Sequence, residues 1–390
     1  MTDQRSVVVP CPVCGTAESE ALSPPHPSRS VTSGGIILAA PLRKVQCPEC
    51  GLLRQHRLPE TIKTELYRDK YALYHQRPGT SDSESARYAA MAEWIFAELA
   101  PFSPSTVLDV GCGGGLLLEA LRRVHASAEY DGIDPSVENS ALARARGFQV
   151  ATGFTPGAVP PRDRYDLVIT SNVMSHIADP TEFLRALAGF TAPDGRVVIF
   201  SHDGCEPGAD MLFSDVEFSF SREYIGVIAS KAGLELLEGH NIPRAPGQLD
   251  KHVLSFRLSE SPAQVALPGA AQRDKLLEGR RQYFKAWPQL ADRLANEARN
   301  AQGPVLNFGA SFWSMILATY CPDYWERVEA CVVDDGSGTF MGKPVIATTD
   351  IAKHSQPLIV LGANPSSQAM LAQHLSGHGK VVVWNDLITR

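Results

Sequence analysis

The sequence has no excess of basic residues and no long apolar run. Its 36 Lys and Arg stand against 43 Asp and Glu, a formal charge of −7, so broad electrostatic binding to nucleic acid or to an anionic membrane is not expected. The apolar run over 34–42 is far shorter than the roughly 20 residues that span a bilayer, and residues 1–9 lack the apolar core of a signal peptide. We therefore expect a cytoplasmic, globular protein with a small-molecule partner.

The cysteines include two pairs of the C-x-x-C type. Four of the eight cysteines form two matched pairs, Cys11-Pro-Val-Cys14-Gly and Cys47-Pro-Glu-Cys50-Gly. Four thiolates from two tight turns can close a tetrahedral shell around Zn²⁺ and leave no open position for water. The spacing predicts a structural zinc site in an N-terminal module. Iron in the same tetrathiolate shell stays open as an alternative.

The rest of the chain predicts an α/β fold. The 390 residues suffice for two to three domains at about 150 residues each. From residue 105 onward apolar strands alternate with helical segments, which is typical of a parallel sheet covered on both faces. We expect strands at 106–110, 129–133, 149–151, 167–170 and 196–201, helices at 116–125, 137–146 and 180–191, and a turn at 192–195. The predicted units are a zinc-binding module (1–60), a central Rossmann-like domain with a helical lead-in (61–258), a helical surface connector (259–302) and a smaller Rossmann-like α/β domain (303–390).

A glycine-rich loop carries the functional prediction. Val107-Leu-Asp-Val-Gly-Cys-Gly-Gly-Gly115 follows an apolar strand and precedes a helix, and its glycines allow a ligand to approach the helix N-terminus closely. Asp134 lies 25 residues beyond Asp109, at the end of the next strand, where an acid can accept hydrogen bonds from ribose hydroxyls. An NAD-binding domain is the alternative, which the acid just before the glycines disfavours.

These two motifs, L-D-V-G-C-G-G-G and G-I-D-P, resemble those of class I S-adenosylmethionine (SAM)-dependent methyltransferases. The resemblance puts Asp109 and Gly111 near the methionine part of SAM, Asp134 on the ribose and Phe154 near the adenine. It implies cofactor binding by the following residues: Asp109, Gly111, Gly113, Asp134, Phe154 and Asn172.

Nearly the whole chain also resembles a narrower group, the three-domain sugar C-methyltransferases of deoxysugar biosynthesis. The matching segments are the cysteine pairs, Tyr71-Ala-Leu-Tyr74-His75, residues 172–180, Phe308-Gly-Ala310, Val333-Asp-Asp335 and Gly342-Lys-Pro-Val-Ile346. In that family the central domain holds SAM, and the other domains help to enclose a nucleotide-linked keto sugar whose carbon is methylated through an enolate.

Two departures bear on the substrate. Phe213-Ser-Asp-Val216 stands where the family has a Tyr-x-Glu-His acid/base cluster, and the loop 309–314 lacks the family's lysine. Removal of a carbon-bound proton calls for a well-placed base. Our candidates for catalytic roles are His176 after the fourth strand, His202 paired with Asp203 near Glu206, and Tyr74 in a lid with Tyr71 and His75; Asp215 is a candidate replacement for the lost glutamate.

The sequence thus predicts a SAM-dependent methyltransferase acting on a small molecule of specialised metabolism, with C-methylation of a sugar or sugar-like intermediate preferred and His176 as base. O- or N-methylation of another small molecule is the alternative. A non-catalytic SAM-binding scaffold and a zinc-ribbon RNA methyltransferase are further alternatives; the intact Asp109 and Asp134 count against the first, and the few basic residues of the ribbon against the second. The oligomeric state stays open.

Overall fold

The computed structural model describes residues 10–55, 60–70, 81–205, 207–242, 251–334 and 336–385. The N-terminal segment has five short strands: β1 (Glu20–Ala21), β2 (Ser30–Val31), β3 (Ile37–Leu38), β4 (Lys44–Gln46) and β5 (Leu53–Gln55). A helix α1 (Glu60–Glu65), a π-helical turn (Leu66–Lys70) and a helix α2 (Ser81–Leu99) follow. The predicted helical lead-in is therefore helical wherever the structure describes it.

The central segment alternates strands and helices as predicted. In chain order its elements are β6 (Thr106–Val110), α3 (Leu116–Val124), β7 (Glu129–Asp134), α4 (Val137–Ala145), β8 (Gln149–Thr152), β9 (Tyr165–Ser171), a 3₁₀ turn (Met174–His176), α5 (Pro180–Phe190), β10 (Thr191–His202), a 3₁₀ turn (Ala209–Leu212), β11 (Phe218–Ser219), α6 (Arg222–Lys231), β12 (Leu234–Ile242) and β13 (Lys251–Leu258). Side-chain caps begin three of the helices: Ser136, Asp179 and Ser221 each accept a backbone N–H.

Seven of these strands form one sheet, in the order β12-β13-β10-β9-β6-β7-β8. The strands from β10 to β8 are parallel, and β13 runs antiparallel to β10. Parallel strands buried on both faces by helices read as continuous apolar runs, which is why 106–110 and 167–170 were predictable. The carboxyl ends of β6, β7 and β9 lie at one edge of this sheet.

Two predictions for this region were wrong. The expected turn at 192–195 belongs to β10, because Thr191 already pairs with Tyr165 and the register shifts only between Thr191 and Arg196. The strand β13 was not predicted at all, although it pairs with β10 from Val197 opposite Phe256 onward.

The C-terminal segment forms a second α/β unit. Its elements are α7 (Ala270–Arg299), β14 (Val305–Phe308), α8 (Phe312–Tyr320), α9 (Pro322–Arg327), β15 (Val328–Val333), β16 (Thr339–Phe340), β17 (Lys343–Ala347), a 3₁₀ turn (Thr348–Lys353), β18 (Leu358–Leu361), a 3₁₀ turn (Pro365–Ser367), α10 (Gln368–Leu375) and β19 (Lys380–Val382). The sheet order is β16-β17-β15-β14-β18-β19. The helix α7 is more than the surface connector we expected, because Arg280, Trp287 and Leu290 on it are fully buried.

The segment 203–221 touches all three parts of the chain. Within it, β11 pairs with β5 and completes the four-stranded sheet β1-β4-β5-β11 of the N-terminal segment. Phe213 is buried in the same core as Val31 and Tyr320, and the Tyr320 hydroxyl donates to the carbonyl of Leu212 at 2.5 Å.

In the described parts of the chain, no helix has the length and apolar character needed to cross a membrane.

Candidate active site

The glycine loop after β6 is packed so tightly that it tolerates no side chain at its first glycine. Gly111 has φ 83°, and a Cβ there would lie 2.2 Å from Cγ2 of Val173. Gly113 and Gly115 also have positive φ, 52° and 82°, and α3 begins directly after Gly115. Because glycine adopts these angles without steric cost, the loop can turn sharply and present the start of α3 at the sheet edge.

The two acids predicted to bind the cofactor lie on either side of this loop. Asp134, at the end of β7, accepts hydrogen bonds from the backbone N–H of Gly113 at 2.8 Å and of Ser136 at 2.9 Å. Asp109 is 2% exposed, and its Oδ1 has no hydrogen-bond partner among the residues that the structure describes. Burial, and secondarily the charge of Asp134, raises the pKa of Asp109 to about 7.

A third polar group lies at the end of the neighbouring strand β9. Asn172 has φ 58° and its backbone N–H donates to the carbonyl of Phe200 at 2.9 Å. Its Oδ1 and the Oγ of Ser171 are buried, with no hydrogen-bond partner in the described parts of the chain. Such strained, unsatisfied positions are characteristic of ligand sites.

The residues present fit SAM. The buried Oδ1 atoms of Asp109 and Asn172 need donors, and SAM carries donors in its ammonium and ribose hydroxyl groups. Phe154 follows β8 on the same side of the sheet and is 42% exposed, as an aromatic side chain available for stacking on an adenine would be. The predicted cofactor residues thus lie on loops at the carboxyl ends of β6, β7, β8 and β9.

His176 ends the 3₁₀ turn Met174–His176, which follows Val173, the residue whose side chain lies against Gly111. Its Nδ1 is 2.9 Å from the Tyr67 hydroxyl, 3.0 Å from the backbone carbonyl of Asp215 and 3.8 Å from that residue's Oδ2. A carbonyl oxygen only accepts, so we assign the proton of the neutral ring to Nδ1, with the Tyr67 hydroxyl donating to Asp215. The lone pair is then on Nε2, which is the nitrogen available to take up a proton.

Asp215, the candidate replacement for the lost glutamate, is a buried carboxylate. Its side chain is fully buried, and it accepts hydrogen bonds from the backbone N–H of Ser33 at 2.7 Å, from the Ser33 hydroxyl at 2.5 Å and from the Tyr67 hydroxyl at 3.3 Å. Tyr67 and Ser33 were not predicted as site residues. Tyr67 lies in the predicted lead-in, four residues before Tyr71. It is 109 positions from His176 in the sequence, so no local pattern links the two residues.

Two buried lysines contact the residues that follow Asp215. The Lys44 ammonium donates to the carbonyl of Val216 at 2.5 Å, and Lys63 forms an ion pair with Glu217 in which the side chains are 8% and 2% exposed. Burial lowers the pKa of Lys44 to about 8, although Glu217, Asp215 and Asp210 act in the opposite direction. The two lysines tie the N-terminal segment and α1 to the strand-like segment that carries Asp215.

The other predicted catalytic residues are placed differently. His202 ends β10, and Asp203 contacts a second imidazole, with its Oδ2 3.4 Å from Nε2 of the buried His252. Burial would raise the pKa of Asp203, but hydrogen bonds from His252 and from the backbone of Cys205 lower it overall. The predicted lid residues Tyr71, Tyr74 and His75, and also Glu206, lie outside the described residues.

The four paired cysteines converge. The sulfur of Cys11 lies 3.6 Å from that of Cys50, the sulfur of Cys14 lies 3.5 Å from that of Cys47, and all four lie within 4.8 Å of one another. Around a tetrahedral Zn²⁺ with Zn–S of about 2.3 Å, neighbouring sulfur atoms would be about 3.8 Å apart. The cluster is therefore compatible with a zinc ion held by four thiolates.

Comparisons with known proteins agree on one domain. A family model described as a methyltransferase domain matches residues 83–239. The ubiquinone biosynthesis O-methyltransferase of Bordetella parapertussis is 30% identical over 187 residues, which are 46% of this chain and 69% of that protein. The protein of the same description from Bradyrhizobium diazoefficiens is 38% identical over 98 residues, 24% of this chain and only 38% of its own length.

Among solved structures, the chain is similar to the 1,6-didemethyltoxoflavin-N1-methyltransferase of Burkholderia thailandensis with bound 1,6-didemethyltoxoflavin and S-adenosylhomocysteine. The match has 18% sequence identity and a TM-score of 0.42, and it covers 56% of this chain and 96% of the other.

Proposed function

Because the chain belongs to the class I S-adenosylmethionine-dependent methyltransferases, we propose that it methylates a small molecule of specialised metabolism whose proton is removed by His176. The observation that carries this proposal is the fixed Nδ1 of His176. Contacts with the Tyr67 hydroxyl and the Asp215 carbonyl hold the ring, and Nε2 is left as the basic nitrogen.

SAM, when bound, supplies an electrophilic methyl group on a sulfonium. We propose that Asp109 and Gly111 hold its methionine part, that Gly113 and Asp134 hold the ribose, and that Phe154 and Asn172 line the rest of the pocket. This assignment is supported by the buried, unsatisfied oxygens of Asp109 and Asn172 and by the close contact of Gly111 with Val173. These residues align the donor, and alignment is the main source of acceleration in such a transfer.

We assign the proton transfer to His176. Nε2 takes the proton from the acceptor carbon, which leaves an enolate, and the ring becomes an imidazolium. The enolate carbon then accepts the methyl group, with S-adenosylhomocysteine as the leaving group. The buried carboxylate of Asp215, 3.8 Å from Nδ1, stabilises that positive charge, and the hydroxyl of Tyr67 keeps the ring in place. The charge of the carboxylate thus opposes that of the imidazolium at the step where the proton moves.

The preferred acceptor is the carbon next to a carbonyl in a sugar or sugar-like intermediate, because removal of such a carbon-bound proton needs the base that His176 supplies. The nucleotide-linked form of that sugar is part of the same proposal. A second candidate is O-methylation of a hydroxylated aromatic compound. It is favoured by the O-methyltransferase names of the relatives.

We propose that the tetracysteine site holds a structural Zn²⁺. Four thiolates fill a tetrahedral shell, so no position remains for a catalytic water. The tyrosine hydroxyl of Tyr224 donates to the carbonyl of Cys50 at 2.7 Å, and Lys231 donates to the carbonyls of Pro12 and Val13 at 2.7 Å each. The metal-bound turns would thereby be fastened to α6 of the central domain.

Deuterium exchange tests the base without requiring turnover. The protein is incubated in D₂O with S-adenosylhomocysteine and a panel of nucleotide-linked keto sugars, and mass spectrometry measures deuterium entering the carbon next to the carbonyl. We expect exchange with the wild type and a loss of at least about a hundredfold with His176→Asn, as for removal of a general base. Methyl transfer with [methyl-¹⁴C]SAM is then measured on the same compounds and on catechols.

His202→Asn is the matched control, because His202 is the other histidine predicted to act. If exchange is lost in that variant and kept in His176→Asn, the base is His202 and the proposal is wrong. Transfer to catechols without exchange into any keto sugar would support the second candidate and exclude the first.

A further inference from the structure

The tetracysteine module extends into the active site through the loop between its two cysteine pairs. Ser33, at the tip of the β2–β3 hairpin, gives two hydrogen bonds to Asp215, from its backbone N–H at 2.7 Å to Oδ1 and from its hydroxyl at 2.5 Å to Oδ2. One residue of the N-terminal segment therefore engages both oxygens of the carboxylate that faces His176.

The hairpin tip is itself held in place on both sides. Within the hairpin, the Thr32 N–H donates to the carbonyl of Ile36 at 3.0 Å, and the Ile36 N–H donates to Thr32 Oγ1 at 3.1 Å. Across to the catalytic segment, Ser214 donates to the carbonyl of Val31 from its backbone N–H at 2.9 Å and from its hydroxyl at 3.1 Å. A tip fixed in this way can hold a carboxylate with little positional freedom.

We infer that Ser33 is a positioning residue that sets the distance and the effective charge of Asp215 at the His176 ring, so that the tetracysteine module tunes the active-site base. The inference rests on the proposed role of His176. Two donors from Ser33 spread the charge of the carboxylate and keep Oδ2 at 3.8 Å from Nδ1, beyond direct hydrogen-bonding distance. A module with a structural metal would then have a second role in catalysis.

Other groups near the carboxylate make the direction of the effect predictable. Among the described residues, Tyr67 is the other hydrogen-bond donor to Oδ2. Lys44 is a buried cation that interacts electrostatically with Asp215, and Glu217 forms an ion pair with Lys63. Without the Ser33 hydroxyl, Oδ2 keeps Tyr67 alone as its donor within the described parts of the chain, and it can approach Nδ1. An opposite charge nearer to the ring favours the imidazolium over the neutral ring.

The test uses NMR titration of the full-length, zinc-loaded protein with ¹³C-labelled histidine. The signal of His176, one of 11 histidines, is assigned by its absence in His176→Asn. We expect Ser33→Ala to move the titration curve of the His176 signal to higher pH, and Ser33→Thr, which keeps the hydroxyl, to restore the wild-type curve. No acceptor is needed, so the result does not depend on knowing the substrate.

Ser214→Ala is the matched control. It removes a buried hydroxyl that bonds to Val31 between the same two segments but makes no contact with the Asp215 carboxylate. We expect it to lower the melting temperature and to leave the pKa of His176 unchanged. If Ser33→Ala and Ser214→Ala have the same effect on the His176 titration, or neither has any, Ser33 is merely structural and the inference is wrong.

The two proposals fail separately. A shifted titration in Ser33→Ala, together with full deuterium exchange in His176→Asn, would keep the positioning role of Ser33 and overturn the catalytic role of His176. An unshifted titration with exchange abolished in His176→Asn would do the reverse.

Discussion

Replacement of Asp109 by asparagine is expected to stabilise the fold and weaken cofactor binding at the same time. Asp109 is buried and its pKa is raised from 3.8 to about 7. Because the folded-state pKa lies above the unfolded value, the stability associated with the protonated carboxyl is complete below pH 3.8 and is lost as the pH rises through 7. An amide of the same shape never ionises and avoids this loss.

The magnitude follows from the two pKa values. With about 1.36 kcal/mol for each pKa unit, the wild type is less stable than Asp109→Asn by about 1.6 kcal/mol at pH 5 and by about 4 kcal/mol at pH 8. The amide cannot make a charge-assisted hydrogen bond to the ammonium or hydroxyl groups of the ligand. We therefore expect S-adenosylhomocysteine to bind about 10- to 100-fold more weakly to the variant.

The assay combines urea unfolding at pH 5 and pH 8 with calorimetric titration at pH 8. Asp166→Asn is the control. Asp166 lies near the start of β9, the strand that pairs with β6. Its Oδ2 accepts two backbone N–H groups, from Ser105 at 2.8 Å and Thr106 at 3.1 Å. That variant should lose stability at pH 8 and keep its ligand affinity. Equal destabilisation of Asp109→Asn at both pH values would refute the reasoning.

Three further predictions concern the loop, the buried ion pair and the metal site. Gly111→Ala should abolish S-adenosylhomocysteine binding in calorimetry and lower stability by about 1–3 kcal/mol, because φ is 83° and Val173 occupies the space of a Cβ; binding as tight as in the wild type would contradict the loop geometry. Lys63→Met should destabilise the protein by about 3–5 kcal/mol in urea unfolding by leaving Glu217 buried without its partner, and adding Glu217→Gln should recover most of that loss; additive losses in the double variant would show that the pair does not interact. Cys47→Ser should reduce the zinc content from one ion per chain to well below one and lower the melting temperature, whereas Cys331→Ser should leave the zinc content unchanged; full zinc content in Cys47→Ser would exclude this cluster as the metal site.

The central sheet was predictable because several local signals agree there. Apolar runs, the glycine loop and capping residues such as Ser136 and Asp179 all indicate the same order of strands and helices. The strand order then brings the ends of β6 and β9 side by side. Asp109 and Asn172 therefore lie towards the carboxyl ends of adjacent strands, and their roles toward SAM stay predictions.

The surroundings of His176 depend on contacts between distant parts of the chain. Tyr67 and Ser33 are ordinary residues in their local sequence, and neither has a motif of its own. They reach Asp215 only because β11 pairs with β5 and the β2–β3 hairpin docks on Ser214. One sequence does not encode such pairings in any short-range pattern. The hydrogen bonds of Tyr67 and Ser33 around His176 and Asp215 could therefore not be predicted.

The error over α7 has a similar cause. Its many charged residues predict a surface helix, but the face carrying Arg280, Trp287 and Leu290 is buried against the N-terminal segment and the C-terminal unit. Arg280 donates to the carbonyls of Gly51 and Gly204, which satisfies a cation that would otherwise be costly to bury. A charge count along the helix cannot reveal that partner.

A crystal structure with bound S-adenosylhomocysteine tests the central claim most directly, through the distance from its sulfur to Nε2 of His176. We expect the sulfur to lie beside Gly111 with roughly 5 to 7 Å to Nε2, which leaves room for one acceptor atom and its proton at near-attack and hydrogen-bonding distances. A sulfur on the far side of Asn172, or an Nε2 turned away from it and held by another protein group, would contradict the assignment of His176 as the base.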